Sequence, residues 1–172
     1  MKDNVREYIF SCLQRRLPFL ISLFFIFLEH IFIDFDTISI KPMLGLICVF
    51  FWIFNRPDIF NLFSVAVLGI FSDLLNATPF GIYLLSYISV YLMEMKIAKY
   101  ISNKMFAFSF ASFGVLSLII ICGQWLLLCI YYGNILPFFN AFTTWMITVS
   151  LYPLMADINI KLAKIILPEE DF

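Results

Sequence analysis

The sequence has few charged residues and few of the side chains that carry out chemistry. Only 13% of its 172 residues are charged and it has a single histidine, whereas 63% are hydrophobic. It contains no G-x-S-x-G motif, no glycine-rich phosphate loop and no paired acidic motif of the kind that binds magnesium in membrane phosphotransferases. We therefore expect a protein that is not an enzyme and that holds no cofactor or metal.

The distribution of cysteine and of basic residues argues against two further classes of protein, those built on disulfides or metal sites and those that bind nucleic acids. The four cysteines lie in apolar or membrane-flanking sequence without C-x-x-C spacing, which argues against a disulfide framework and against a metal site. Lysine and arginine together number 11 against 12 acidic residues, which gives a net charge of -1. Because the chain lacks a basic footprint, we expect no nucleic-acid partner.

Long apolar runs make up most of the chain. The mean hydropathy is +0.97, which is typical of integral membrane proteins surrounded by lipid. A chain of 172 residues has room for about six or seven spans of about 20 residues and none for a separate soluble domain. We expect an all-α, polytopic helix bundle that forms one membrane domain over residues 1–172. The six predicted spans are 17–34, 42–54, 59–77, 79–93, 105–132 and 137–155.

Basic residues fall mostly on one side of these spans. Ten of them share the side of the two termini, and Lys41 alone lies on the other side, so the positive-inside rule predicts that both termini are cytoplasmic. The first span contains Glu29 and His30 and has no A-x-A site, so we predict a retained helix rather than a signal peptide. Glu94 and Asp157 fall near the cytoplasmic interface, where a charge costs little.

One stretch, residues 69–81, places an acidic residue inside an apolar run. It reads G-I-F-S-D-L-L-N-A-T-P-F-G, with Asp73 at its centre. A carboxylate within a span costs at least ~2.5 kcal/mol on insertion scales, so it normally faces protein or water. Gly69 lies on the same helix face and lets a neighbouring helix approach closely. Thr78 and Pro79, with Gly81, predict a tight break after the third span.

Polar residues of several spans fall at one depth. At about 1.5 Å of rise per residue, Glu29 and His30 lie about 18 to 20 Å from the start of the first span, and Asp73 lies about 21 Å from the start of the third. The same arithmetic puts further polar groups in the outer half: Gln124, Asn140, Thr143 and Thr144. We therefore expect Asp73 to face other helices, with His30 and Gln124 as its partners and Glu29 nearby.

Two simpler interpretations stay open for these residues. Glu29 and His30 can belong to a pair near the loop that snorkels outward to the interface. Asp73 can be a structural carboxylate without chemistry, hydrogen-bonded to Ser72, Asn76 or His30. If its hydrogen bond is worth the modest amount usual within membranes, Asp73→Asn is expected to fold nearly normally.

Three segments in a fixed order resemble the bacterial rod-shape-determining protein family MreD. The resemblance is dense over residues 41–91 and weaker elsewhere, where a proline-containing segment of the last helix is also similar. The matching residues are K-P-M-L-G-L-I-C-V-F-F-W at 41–52 with Pro42, the turn Arg56-Pro57, the motif at 69–81, and Leu151-Tyr152-Pro153.

This resemblance implies a non-enzymatic subunit of the cell-elongation machinery in the bacterial inner membrane. Its implied partner is the bitopic protein MreC and, through it, the actin-like MreB filaments and the peptidoglycan synthases. The implied mechanism is docking of the single transmembrane helix and the membrane-proximal part of MreC, which supports wall synthesis along the side of the cell.

A different class, the substrate-binding membrane component of a vitamin-type transporter, is the alternative. Such proteins also have about six helices in a chain of this length, and they bind solute toward the outer side, where the polar layer falls. Two features argue against it. The first span contains no alanine, so it lacks the small-residue stripe that docks the transport partner, and the external loops are short.

Overall fold

The chain folds into α-helices connected by short links. The computed structural model describes the backbone of residues 2–31, 41–57, 60–97 and 106–166, and the side chains of these ranges between residues 16 and 164 except residue 97. Within these ranges there are six helices and no strand, which confirms the predicted all-α class. The helices are α1 Lys2–Ile31, α2 Leu44–Asn55, α3 Leu62–Leu75, α4 Ile82–Ile97, α5 Phe106–Tyr132 and α6 Phe138–Ile166.

The helix boundaries differ from the predicted spans mainly at the ends of the chain. α1 begins at Lys2, so the polar head predicted to precede the first span is helical. α6 continues to Ile166, so most of the tail predicted to be amphipathic or frayed from Asp157 onward belongs to the same helix. Hydropathy marks where a helix leaves an apolar environment, whereas the helix itself continues until a breaker stops it. Of the polar loop predicted between the first two spans only Lys41 is described. Of the basic loop predicted at 94–104, residues 94–97 continue α4, and the rest lies outside the described residues.

The six helices fall into two length classes. α1, α5 and α6 have 30, 27 and 29 residues, whereas α2, α3 and α4 have 12, 14 and 16. A helix rises about 1.5 Å per residue and the hydrocarbon core of a bilayer is about 30 Å thick, so the three short helices do not span it at full thickness. By length and composition, α5 is the one helix of the described part that is long and apolar enough to cross a membrane.

α2 lies at the centre of the bundle. It is apolar all round, as expected for a helix enclosed on every side, and it contacts α1, α4, α5 and α6. Ten of its residues, Gly45 to Phe54, are buried. The Phe50 ring packs edge-on against Phe113 of α5 and Tyr152 of α6, with centroid distances of 5.0 and 5.8 Å. Residues 45–54 are therefore the core of this fold.

α3 and α4 form an antiparallel hairpin, as the short link between the third and fourth spans predicts. The predicted connection of two or three residues is wrong, because α4 begins at Ile82 and the link covers residues 76–81. Asn76 ends α3: its backbone N–H and its side-chain amide both donate to the carbonyl of Ser72, at 3.0 Å. Ala77 then takes a positive φ of 50°, and Pro79, which has no N–H, cannot continue a helix.

Candidate functional site

Asp73 is buried, with 1% of its surface exposed, and both of its carboxylate oxygens accept hydrogen bonds from the turn that follows. Its Oδ1 accepts from the backbone N–H of Tyr83 at 2.8 Å and from the Thr78 hydroxyl at 3.2 Å. Its Oδ2 accepts from the backbone N–H of Gly81 at 2.9 Å and of Leu84 at 3.4 Å. The carboxylate therefore satisfies amides at the start of α4, which no carbonyl within that helix can reach.

This arrangement makes Asp73 a helix cap that comes from the preceding helix. The exposed N–H groups at the start of a helix carry partial positive charge, and a carboxylate placed there is stabilised by it. Hydrogen bonds to an ionised acceptor are also the stronger kind. Asp73 thus ties the end of α3 to the start of α4 and fixes the link between them.

The partners predicted for Asp73 from depth are wrong. Gln124 of α5 uses its side-chain amide to donate to the Ser86 hydroxyl at 2.8 Å. His30 has an Nδ1 atom that is buried and makes no hydrogen bond among the described residues. The reason is that the turn supplies backbone donors directly above the carboxylate, so a side chain from another helix has no place at it. Asp73 has the structural hydrogen bonds that the simpler interpretation expects, but its partners are not Ser72, Asn76 or His30.

Gly69 works with Asp73 to bring the two helices together. A Cβ atom at Gly69 would lie 2.6 Å from the Cα of Leu84, which is α4 backbone and cannot rotate away. Gly81 takes a φ of 107° in the link, a conformation that favours glycine. The motif at 69–81 is therefore one packing unit inside the chain: a close approach, a turn and the carboxylate that binds the turn's amides.

Glu29 of α1 caps the start of α2 in the same way as Asp73 of α3 caps the start of α4. Its side chain is 1% exposed and its Oε2 accepts the backbone N–H of Gly45, in the first turn of α2, at 3.0 Å. The alternative in which Glu29 snorkels outward is therefore wrong. The Oε1 atom has no hydrogen-bond partner among the described residues, which distinguishes Glu29 from Asp73, whose two oxygens are both used.

Gly45 is a position of close helix packing that the sequence analysis does not single out. A Cβ atom there would collide with the Tyr87 hydroxyl and would lie 2.6 Å from the side chain of Ile26, so α1 and α4 both approach α2 at this residue. Tyr87 in turn accepts a hydrogen bond from the Ser72 hydroxyl at 3.1 Å. The available signal was a single glycine inside the otherwise apolar stretch at 43–54.

The remaining candidates from the sequence lie apart from these two caps. Pro42 is half-buried immediately before α2, and Arg56 follows the end of α2, where its backbone N–H donates to Trp52 at 2.8 Å. Pro57 comes one residue later, where proline commonly follows a helix end. Pro153 is exposed on α6, and the helix continues through it.

Glu94 lies in surroundings that its sequence position did not predict. It was expected near the cytoplasmic interface, but α4 continues to Ile97 and the Glu94 side chain is fully buried. Neither of its oxygens has a hydrogen-bond partner among the described residues. Asp157, by contrast, is exposed and pairs with Lys161 on the next turn of α6, at 2.7 Å.

A cavity of about 270 Å³ opens where α2, α4 and α6 begin and α5 ends. We name this end of the bundle the outer end, after the predicted topology, and the space the outer cavity. It is lined by Lys41, Met43, Tyr83, Ile121, Gln124, Trp125, Leu128, Leu136, Pro137, Asn140, Ala141 and Thr144. Three members of the predicted polar layer, Gln124, Asn140 and Thr144, therefore meet, whereas the Thr143 hydroxyl bonds to carbonyls of its own helix.

A second concave surface lies between α4 and α5, and we name it the α4–α5 groove. It encloses about 650 Å³ and its walls are apolar except for Lys96 and Ser112. Its lining residues are Met93, Lys96, Phe108, Ala111, Ser112, Val115, Leu116 and Ile119.

No group of three or more histidine, cysteine, aspartate or glutamate side chains is placed to hold a metal ion within the described ranges. The two buried carboxylates of the outer end bind backbone amides, so the task that the geometry gives them is structural. Comparisons with protein-family models, with curated proteins and with solved structures each found no match.

Proposed function

We propose that the chain is a non-enzymatic, multi-pass subunit of the bacterial inner membrane that acts in the cell-elongation complex by docking an MreC-like bitopic protein. Through that partner it acts on MreB filaments and on the peptidoglycan synthases of the side wall. The observation that carries the proposal is the ordered resemblance to MreD at 41–52, 56–57 and 69–81. These segments cover most of the central helix α2, its end, and the second half of α3 with the link that leads to α4.

We further propose that all six helices lie within the membrane, with both termini in the cytoplasm. α1, α5 and α6 have 27 or more residues each, enough to cross a core about 30 Å thick, which takes about 20 residues. α2 is enclosed by the other helices, so its short length exposes little backbone to lipid. Many large apolar side chains of α5 and α6 are exposed, which is what lipid contact requires.

The packing of the motif bears on where a partner docks. Gly69 and Asp73 are used within the chain, so their face is already occupied by α4. The α4–α5 groove is a surface that the described fold leaves open. We therefore propose this groove as the site for the partner's transmembrane helix.

The groove has the form that helix packing in lipid favours. Phe108, Ser112, Val115 and Ile119 follow one another at spacings of four, three and four residues, so they form one stripe along α5. Small residues such as Ala111 and Ser112 lie near the middle of the stripe and allow a second helix to approach closely, which drives association where no hydrophobic effect operates between helices.

The test compares the same substitution at two serines, one in the groove and one on a different helix. Ser112 lines the groove and donates its hydroxyl to the Ser109 carbonyl at 3.1 Å, whereas Ser150 is exposed on α6 and donates to the Met146 carbonyl at 2.8 Å. Ser112→Leu is expected to lower recovery of the MreC-like partner by about tenfold or more, because the added volume fills the groove. Ser150→Leu is the control and should recover the partner fully at an equal membrane level. Equal recovery by the two variants would reject this groove as the docking surface.

The transporter component stays as a second candidate because one observation favours it: the outer cavity lies at the end where such proteins bind solute. Depletion separates the two functions. Rounding of a rod-shaped host supports the elongation role, whereas cells that remain rod-shaped and require a vitamin support the transporter role.

A further inference from the structure

The outer cavity contains an ammonium group and an amide oxygen that the described fold does not use. Lys41 lines it, and no carboxylate of the described residues lies within ion-pair distance of Lys41. The nearby carboxyl of Glu29 is engaged elsewhere, since its Oε2 accepts the backbone N–H of Gly45 at 3.0 Å. Lys41 is therefore a cation of the cavity wall that has no direct counter-ion among the described residues.

Gln124 is the second unused group. Its side chain is 9% exposed, and its Nε2 donates to the Ser86 hydroxyl at 2.8 Å, which fixes the orientation of the amide. The Oε1 atom accepts no hydrogen bond from the described residues, and Gln124 lines the cavity. A cavity wall thus presents an oriented acceptor, and a ligand that enters with a donor can complete it.

The positive end of a helix adds to the field in the cavity. α2, α4 and α6 all begin at the outer end, where their backbones carry partial positive charge. Glu29 binds an amide of α2 and Asp73 binds amides of α4. α6 has no acidic residue in its first turn, and Pro137, Asn140 and Ala141 of that region line the cavity.

We propose that the outer cavity binds a small anion that also carries a hydrogen-bond donor. The phosphate or carboxylate of this ligand lies against the Lys41 ammonium and the start of α6, and its hydroxyl or amine donates to the Gln124 oxygen. The rings of Tyr83 and Trp125 cover its apolar part. A volume of about 270 Å³ is just below the range of about 300 to 1,000 Å³ that is usual for ligand pockets, so the ligand has the size of glycerol phosphate. This binding site goes beyond the docking role and does not rest on it.

Such a group has two sources, a soluble metabolite or the headgroup of a lipid, and the experiment has one arm for each. The full chain is placed in nanodiscs of phosphatidylcholine and titrated with sn-glycerol 3-phosphate, following tryptophan fluorescence because Trp125 lines the cavity. In the second arm, thermal stability is compared between phosphatidylcholine discs and discs that contain phosphatidylglycerol. A saturable response to the soluble probe supports a soluble ligand, and stabilisation only by phosphatidylglycerol supports a lipid headgroup.

Three variants decide whether the response comes from the outer cavity. Lys41→Gln removes the cation and is expected to weaken binding by about tenfold or more, since a hydrogen bond to a charged group is lost. Gln124→Glu places a negative charge against the ligand and should weaken it at least as much, which keeps the test valid if Lys41→Gln fails to fold. Lys164→Gln, at an exposed lysine of α6, is the control. No response in either arm, or equal responses in all variants, would overturn the proposal.

Discussion

For Asp73→Asn, the structure and the sequence lead to different predictions: the sequence predicts nearly normal folding, and the structure predicts a loss of stability. The amide has nearly the size and polarity of the carboxylate, but it has one acceptor oxygen where the carboxylate has two. Both Asp73 oxygens receive a backbone N–H, from Tyr83 at 2.8 Å and from Gly81 at 2.9 Å. Whichever way the asparagine amide is turned, its NH2 group faces one of these donors. Rotation therefore cannot restore the network.

The expected loss of stability follows from that count. Leaving a buried donor unsatisfied costs about 1–3 kcal/mol, and removing a negative charge from a helix start costs about 0.3–1 kcal/mol. We expect Asp73→Asn to lower the free energy of unfolding by about 1–4 kcal/mol in total. The sequence predicts nearly normal folding because it assumes that Asp73 makes one average side-chain hydrogen bond. In the structure Asp73 accepts four hydrogen bonds, so the predicted loss is larger.

The assay is reversible unfolding in mixed detergent micelles with increasing SDS, followed by tryptophan fluorescence. Asp157→Asn is the matched control, because it makes the same chemical change at an exposed carboxylate. The partner of Asp157 is Lys161 on the next turn of the same helix, and exposed ion pairs of this kind contribute little to stability. Hydrogen exchange gives a local readout: the amides of residues 81–84 should exchange faster in Asp73→Asn. The reasoning is refuted if the two variants unfold alike and exchange at 81–84 is unchanged.

Three other predictions use the same protein. Gly69→Ala should lower the free energy of unfolding by about 1–3 kcal/mol, because the α4 backbone cannot move away from the added methyl group. Gly123→Ala, whose Cβ would meet nothing within 4 Å, is the control. Equal stability of the two variants would contradict the close approach of α3 and α4. Glu29→Gln should cost less than the aspartate change above, because only one Glu29 oxygen is hydrogen-bonded; the same SDS titration ranks the two. Reporters fused after Arg16 and after Asn134 should read cytoplasmic and external; a common side would remove the six-span topology.

The sequence predicts the helical class and the number of helices because apolar runs and their breakers are local signals. α5 agrees with its predicted span within one residue, since it is a long apolar run that ends at a Gly-Asn turn. The starts of α2 and α4 are less well predicted. The sequence predicts spans that begin at Pro42 and Pro79, whereas α2 and α4 begin two and three residues later, where hydrogen-bonded amides and a capping carboxylate become available.

The partners of the buried carboxylates were not predictable by depth. Rise per residue gives the level of a side chain along the membrane normal, but not the direction in which it points around the helix axis. Asp73 and Gln124 share a level, yet they bind different groups, the amides of the 81–84 turn and the Ser86 hydroxyl. A stronger signal was present in the motif itself, because an acidic residue shortly before a Thr-Pro and a glycine lies close to the donors of its own turn.

The structural role of the motif at 69–81 limits what its resemblance to MreD contributes. Every element of the motif acts within the hairpin: Gly69 admits the α4 backbone, Gly81 takes the positive φ, and Asp73 binds the amides between them. A fold can serve several functions, so residues that build it argue for the fold, and a function must be argued from surfaces and cavities. In this chain those are the α4–α5 groove and the outer cavity, and no residue of the motif lines either of them. Variants in the groove and in the cavity should therefore separate partner docking from ligand binding without changing the stability of the hairpin, whereas variants in the motif should reduce both together through the fold.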